Sequence, residues 1–299
     1  MSRSIPPRAV VVTRPTDLEM LLLRHGTLAQ ARFFLESRGQ AVDVVADRHR
    51  VQEEAVHAVL AAIPLSWRRA RIGRADLDRF LFEADDVVVA VGQDGLVANV
   101  AKYLAGQPVI GVNPSKQLFD GVLVQHAPSS CAKLLPAAAA GAPCEERTMV
   151  EASTSDGARL VALNEVYVGH KTHQSSRYRL AFRGHEERHS SSGIIVCTGT
   201  GASGWAKSVS RQRASCAPLP APLGKDLTFL VREAWPSVAT GVDVTDGVIA
   251  GDAPLVVTSE MNSDGVVFGD GIEQDALDFS FGQVLTVRAA PVALRLVAA

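Results

Sequence analysis

The chain has 299 residues, 47% of them hydrophobic and 21% charged, with a formal net charge of -2. That composition is globular, with room for roughly two domains and ample core for both. It excludes a basic field for nucleic acid and an acidic tail, and no apolar run approaches the ~20 residues that cross a bilayer. The expectation is therefore no nucleic-acid partner and no membrane.

Residues 1–8 show no apolar leader core. Residues 9–13 read as a strand. Thr16-Asp17-Leu18-Glu19 is a capping box that opens a helix. A second such start at Thr27-Leu28-Ala29-Gln30 leads a helix to Arg38, stopped by Gly39. Residues 41–46 read as a second strand, and 53–62 and 76–82 as helices. Residues 87–91 form the central strand, 97–104 a short helix ended by Gly106, and 108–112 a further strand. This alternation predicts a parallel sheet with helices on its faces.

Residues 127–142, rich in Ala, Pro and Ser, read as a connector with a short helix. Beyond it, strands are expected at 160–168, 177–182, 193–197, 227–231, 255–259, 265–268, 277–281, 284–288 and 292–297, mostly antiparallel. Residues 212–225 read as an exposed loop. The expected fold is thus α/β plus β: an α/β domain over residues 1–126 and a β-rich domain over 127–299, whose last strands are free to pack back toward the first domain. Cys131, Cys144, Cys197 and Cys216 form no Cys-x-x-Cys pair and read as free thiols of a reducing cytoplasm.

Several segments carry chemistry. The apolar run 87–91 empties into Gly92-Gln93-Asp94-Gly95-Leu96. Glycine lets backbone approach a ligand, and the carboxyl ends of parallel strands are where open α/β sheets bind one. Asp94 fits both a general base and a helix cap. Gly111-Val112-Asn113-Pro114 ends the next strand, so Asn113 either faces the same crevice or makes an Asn-Pro turn. Asn164-Glu165 supplies an amide and a carboxylate that can hold an adenine edge or a ribose diol; the plain alternative is a strand with Glu165 solvated. Thr198-Gly199-Thr200-Gly201-Ala202-Ser203-Gly204-Trp205 suits an anion through its backbone amides. It is no P-loop, because no Gly-Lys-Ser/Thr follows, and its match to Gly-x-Gly-x-x-Gly lacks the βαβ context of a Rossmann site. His170, His173, His185 and His189 read as solvated loop histidines and not as zinc ligands.

In order, these segments resemble the NAD kinase family. Its Gly-Gly-Asp-Gly-Thr hallmark is similar to residues 92–96, its Gly-Ile-Asn to Gly111-Val112-Asn113, its Asn-Glu/Asp pair to Asn164-Glu165, and its Thr-Pro-Thr-Gly-Ser-Thr-Ala-Tyr to residues 198–205. A late Asp-Gly resembles Asp270-Gly271. The match runs from about Val87 to the C-terminus. The departures mark a divergent branch: Gln93 for Gly, Leu96 for Thr, Ser192 for the Asp of an Asp-Gly pair, Gly199 for Pro, and a segment after Lys207 that lacks the family's Gly-Gly-Pro pattern.

The resemblance implies an active site in the crevice between the two domains and ATP-dependent phosphorylation of the adenosine-ribose 2′-hydroxyl of NAD. Asp94 would be the general base. Gly92, Gly95, Asn113, Asn164, Glu165, Thr198, Thr200, Gly201, Ser203, Gly204, Trp205 and Ser208 would bind the nucleotides, with Trp205 as a stacking surface. Mg²⁺ would arrive with ATP and not in a protein cage. A homodimer or homotetramer is implied as well. An NAD(P)-binding regulator without kinase activity, or a kinase of a lipid or sugar alcohol, remains an alternative at this point.

Overall fold

The computed structural model describes residues 6–116, 120–251 and 253–298. Residues 1–5, part of the stretch read as lacking a leader, lie outside the described residues. The chain divides into two compact units, Met1–Glu145 with Arg295–Ala299, and Glu146–Leu294.

The first unit begins β1 (Arg8–Thr13), α1 (Asp17–His25), α2 (Leu28–Glu36), α3 (Val42–Ala62) and β2 (Arg68–Gly73). It continues β3 (Asp86–Val91), α4 (Asp94–Ala101), β4 (Pro108–Val112), α5 (Cys131–Ala139) and β5 (Cys144–Arg147). The strands of the second unit are β6 (Val150–Thr154), β7 (Arg159–Ala162), β8 (Glu165–His170), β9 (Ser176–Phe182), β10 (His185–Ser191) and β11 (Ile194–Cys197). After α6 (Trp205–Arg211) come β12 (Leu227–Val231), β13 (Asp246–Ile249), β14 (Leu255–Ser259), β15 (Gly265–Gly269), β16 (Ile272–Asp278) and β17 (Val284–Ala289), and the chain closes with β18 (Leu294–Val297).

In the first sheet the order is β2-β1-β3-β4-β18-β5. The pairs β1–β2, β1–β3, β3–β4 and β4–β18 are parallel. Every residue of β3 is buried, which is why its sequence is an unbroken apolar run rather than an alternating one. Its first residue, Asp86, is 1% exposed. The Arg8 guanidinium donates to both Asp86 oxygens at 2.7 Å, a bidentate pair that pins the β1–β3 register at the amino ends of the strands. That leaves the carboxyl ends open for chemistry.

The second unit holds two six-stranded sheets, β10-β9-β14-β17-β6-β7 and β13-β12-β11-β8-β15-β16. All the described pairings within them are antiparallel. One core joins them face to face. Val150, Leu180 and Leu285 come from the first sheet, and Val166, Ile194 and Phe229 from the second.

Several expectations need correction. Residues 41–46 are not a strand but the start of α3, whose buried stripe Ala55, Val56, Val59 continues a helical period while Val44 is exposed. Residues 76–82 form only a 3₁₀ turn ending at Asp76 and further turns, because Leu77 alone is fully buried and Leu81 is exposed, so no apolar face supports a helix. The run 160–168 is broken at Leu163 and Asn164 into β7 and β8. Helix α4 begins at Asp94, three residues before the expected start. Residues 277–281 contribute only the end of β16.

Candidate active site

Asp94 opens α4 directly beyond the carboxyl end of β3. Its carboxylate accepts from three consecutive backbone amides, Val122 at 2.9 Å on Oδ2, and Leu123 at 2.8 Å and Val124 at 3.0 Å on Oδ1. The segment that supplies them leaves β4 at Asn113 and returns at His126, closed at its base by Asn113 N donating to His126 O and His126 N to Gly111 O. Glycine is required at 111: a Cβ there would stand 2.0 Å from Leu123 O. Asn113 is 2% exposed, and its Oδ1 accepts from Ser115 N at 3.0 Å, an Asx turn that starts the same excursion. Gly92 N donates to Val112 O across the two strand ends. Gly92, Asp94, Gly95 and Asn113 are thus gathered at one end of the sheet.

Beside them lies a cleft lined by Arg14, Asp17, Arg48, Gln52, Gly92 and Gln93. Arg14 directly follows β1, and Arg48 projects from α3, which Gln52 ties to the sheet by donating to Val91 O at 2.9 Å. Among the described residues neither guanidinium has a carboxylate at ion-pair distance. Sequence reading passed over both, although an arginine immediately after a strand was a usable signal. Gln93, the N-cap of α4, makes no side-chain cap and lines the cleft. Leu96 is 2% exposed, so the residue standing where the family has Thr is part of the packing under the turn.

In the second unit, Asn164 lies in the break between β7 and β8, and Glu165 opens β8. Asp270, in the turn after β15, accepts from Leu163 N at 2.9 Å, Asn164 N at 2.7 Å and Glu165 N at 3.4 Å, and its own N donates to Glu165 O. Burial and the charge of Asp270 push the Glu165 carboxyl up to about 7. Glu165 itself is half-buried where it opens β8.

The loop 198–205 packs against the same turn. Thr198 N donates to Asn164 O at 2.9 Å, and Thr198 Oγ1 donates to Leu163 O while accepting from Thr200 N and Gly201 N. The buried Thr198 side chain is thus fully used in shaping the loop. Gly201 is needed for closeness, since a Cβ would stand 2.1 Å from Asn164 O. The Thr200 hydroxyl is buried without a hydrogen-bond partner among the described residues. Ser203 and Ser208 are exposed at the start of α6, and Ser208 N donates to Gly204 O. The Trp205 indole stacks on Tyr167 with ring centres 5.8 Å apart, Phe268 packs on Tyr167 at 4.8 Å, and the Arg232 guanidinium lies 5.1 Å from the indole.

The histidine expectation is corrected in part. His170 and His189 are buried within strands, where His170 Nδ1 accepts from Thr172 N and His189 Nε2 lies 2.9 Å from Glu187 Oε2. Their neighbours in the sheets bury them; His173 and His185 are exposed. Among the described residues no group of three or more His, Cys, Asp and Glu is placed to hold a metal. Nor is any helix among them long and apolar enough to cross a membrane.

No family model matches the chain. Two curated proteins do, each 25% identical over 258 residues that cover 69% of this chain: NAD kinase 2, mitochondrial, of Homo sapiens, covered over 58% of its length, and of Rattus norvegicus, over 61%. The chain spans about three-fifths of the length of these relatives. Two solved structures share the fold: an NAD kinase from Archaeoglobus fulgidus in complex with ATP (TM-score 0.60, 21% identity, 97% of this chain and 93% of that one) and yeast NADH kinase complexed with NADH (TM-score 0.61, 13%, 99% and 84%). The chain is similar in sequence to these NAD kinases and shares the fold of the two solved ones. A parallel sheet followed by paired antiparallel sheets is the two-domain NAD kinase fold. Asp94 clamps the backbone of residues 122–124, and Asp270 clamps that of Leu163, Asn164 and Glu165.

Proposed function

We propose that the chain transfers the γ-phosphoryl group of ATP to the adenosine-ribose 2′-hydroxyl of NAD, giving NADP and ADP. The observation that carries this reading is the anchored Asp94 carboxylate at the carboxyl end of β3, beside a cleft lined by the Arg14 and Arg48 guanidiniums, which have no carboxylate at ion-pair distance among the described residues. A carboxylate has about four acceptor positions. Three are taken by backbone amides, which leaves one on Oδ2 to orient a substrate hydroxyl and receive its proton. The hydroxyl oxygen bonds to the γ-phosphorus as the bond to the β,γ-bridging oxygen breaks. Phosphoryl transfer needs mainly such positioning and charge stabilisation. Arg14 and Arg48 are suited to the donor phosphates, because guanidinium forks match phosphate oxygens.

Asn164, Glu165 and the loop from Thr198 to Trp205, with the unpartnered Thr200 hydroxyl, would bind the dinucleotide. Mg²⁺ would enter with ATP, since this ion keeps waters and phosphate ligands. Bound there, it would neutralise phosphate charge. The relatives' names point to the same chemistry, and the resemblance adds a homodimer or homotetramer. The four cysteines, with no Cys-x-x-Cys pair among them, suit a reducing compartment.

The test is incubation of the purified protein with NAD, ATP and Mg²⁺, with NADP read by an NADP-specific dehydrogenase. NADP formation that falls by a factor of about 10²–10⁴ in Asp94→Asn supports the reading. No NADP from folded wild-type protein, or undiminished turnover in the variant, contradicts it.

A further inference from the structure

We propose that Asp270 is the positioning residue of the dinucleotide site, holding the Asn164–Glu165 pair in place by clamping its backbone. The proposal rests on the reading of Asn164 and Glu165 as dinucleotide ligands. Three consecutive amides, of Leu163, Asn164 and Glu165, donate to one carboxylate, and Asp270 N donates back to Glu165 O. This spans the break between β7 and β8, which belong to different sheets. Asp94 does the same for residues 122–124 in the first unit, so the chain uses one device twice: an Asp-Gly turn after a strand whose carboxylate fixes a neighbouring segment.

The backbone of the turn shows that the geometry is specific. Asp270 has φ +55° and Gly271 φ +67°. Asp and Asn tolerate the left-handed region better than other residues with a side chain. Asp270→Asn therefore keeps a backbone-compatible residue while removing the charge and one acceptor oxygen.

The clamp also brings a second negative charge to Glu165. The other titratable neighbour is Cys197, its register partner on β11, whose thiol burial pushes up to about 12, so it stays neutral. Asp270 thereby favours the protonated form of Glu165 near neutral pH. A protonated carboxyl can donate a hydrogen bond as well as accept one, which an ionised one cannot. Position and proton occupancy of the dinucleotide-facing pair are then both under the control of a residue that need not touch the ligand.

Two measurements test this. Steady-state kinetics of Asp270→Asn is expected to raise the KM for NAD about tenfold or more, with the KM for ATP within about twofold of wild type. Titration of ¹³C-labelled glutamate carboxyls in the unliganded protein is expected to show one resonance, lost in Glu165→Gln, with a midpoint near 7. That midpoint should fall in Asp270→Asn and be retained in Asp270→Glu, which keeps the charge while disturbing the clamp. An unchanged KM for NAD, or an unmoved midpoint in Asp270→Asn, would overturn the proposal. A wild-type protein that neither binds nor phosphorylates NAD defeats the functional reading instead; the titration needs no NAD and stands apart from it.

Discussion

The Oδ1 atom of Asp94 lies 2.8 Å from the amide nitrogen of Leu123, and a Cβ on Gly111 would lie 2.0 Å from the carbonyl oxygen of that same Leu123. One residue of the excursion after β4 is therefore held from both sides, by a carboxylate and by a glycine surface. Asp94 is thus part of the architecture of its turn, beside the chemical role proposed for it.

Gly111→Ala is expected to destabilise the protein by about 1–3 kcal/mol or more, because backbone atoms and not a flexible side chain oppose the new methyl group. Gly95→Ala is expected to stabilise by about 0.4–1 kcal/mol. Nothing lies within 4 Å of a Cβ there, and the residue is inside α4. Urea denaturation of the two variants checks the opposite signs.

Gly201→Ala places a Cβ 2.1 Å from Asn164 O and must push the loop from the Asn164–Glu165 turn. An NAD affinity at least about tenfold weaker is expected, by calorimetry, with the far-UV dichroism unchanged. Wild-type affinity would show that the close approach of loop and turn does not matter for binding.

Glu165 gives a pH dependence of stability with a defined sign. Its carboxyl titrates at about 7 in the folded protein against 4.5 as the ordinary value. Between these values the folded state binds more protons than the unfolded state, so stability falls as pH rises. The contribution is fully present below about 4.5 and lost as pH passes 7. Its size is on the order of 3 kcal/mol. Glu165→Gln should remove that slope and be more stable than wild type at pH 8, as measured by urea midpoints across the range.

Burial pushes the Cys131 thiol up to about 11 and the Cys197 thiol up to about 12. Thiolate is the reactive form, so both should resist a thiol reagent at pH 8 in the native protein. Cys144 and Cys216, half-buried, should react first. Mass spectrometry after timed labelling checks the order.

What the sequence made legible follows from what its residues advertise. The strand at 87–91 was visible because both its faces are buried, and Thr16 and Thr27 marked helix starts because capping is local chemistry. Strand β2, Arg68–Gly73, was hidden: at the sheet edge Arg69 and Arg71 are exposed, and edge strands carry such charges against aggregation. The valines of residues 42–45 suggested a strand, but packing later in α3 decided for a helix. Asp94, Asn164 and Glu165 stood out by type and place. Their clamps did not, because residues 122–124 and 163–165 contribute backbone amides, which any residue but proline supplies. Asp270 carried the same Asp-Gly mark as Asp94, yet only the fold shows the segment it holds.

The most direct test of the account is the position of the transferred phosphate. Wild-type protein with NAD, ATP and Mg²⁺ should yield a product whose phosphorus and proton spectra place one phosphomonoester on the adenosine-ribose 2′-oxygen, with one ADP released per product. ADP release that ignores NAD, or a phosphate on any other alcohol, would contradict it.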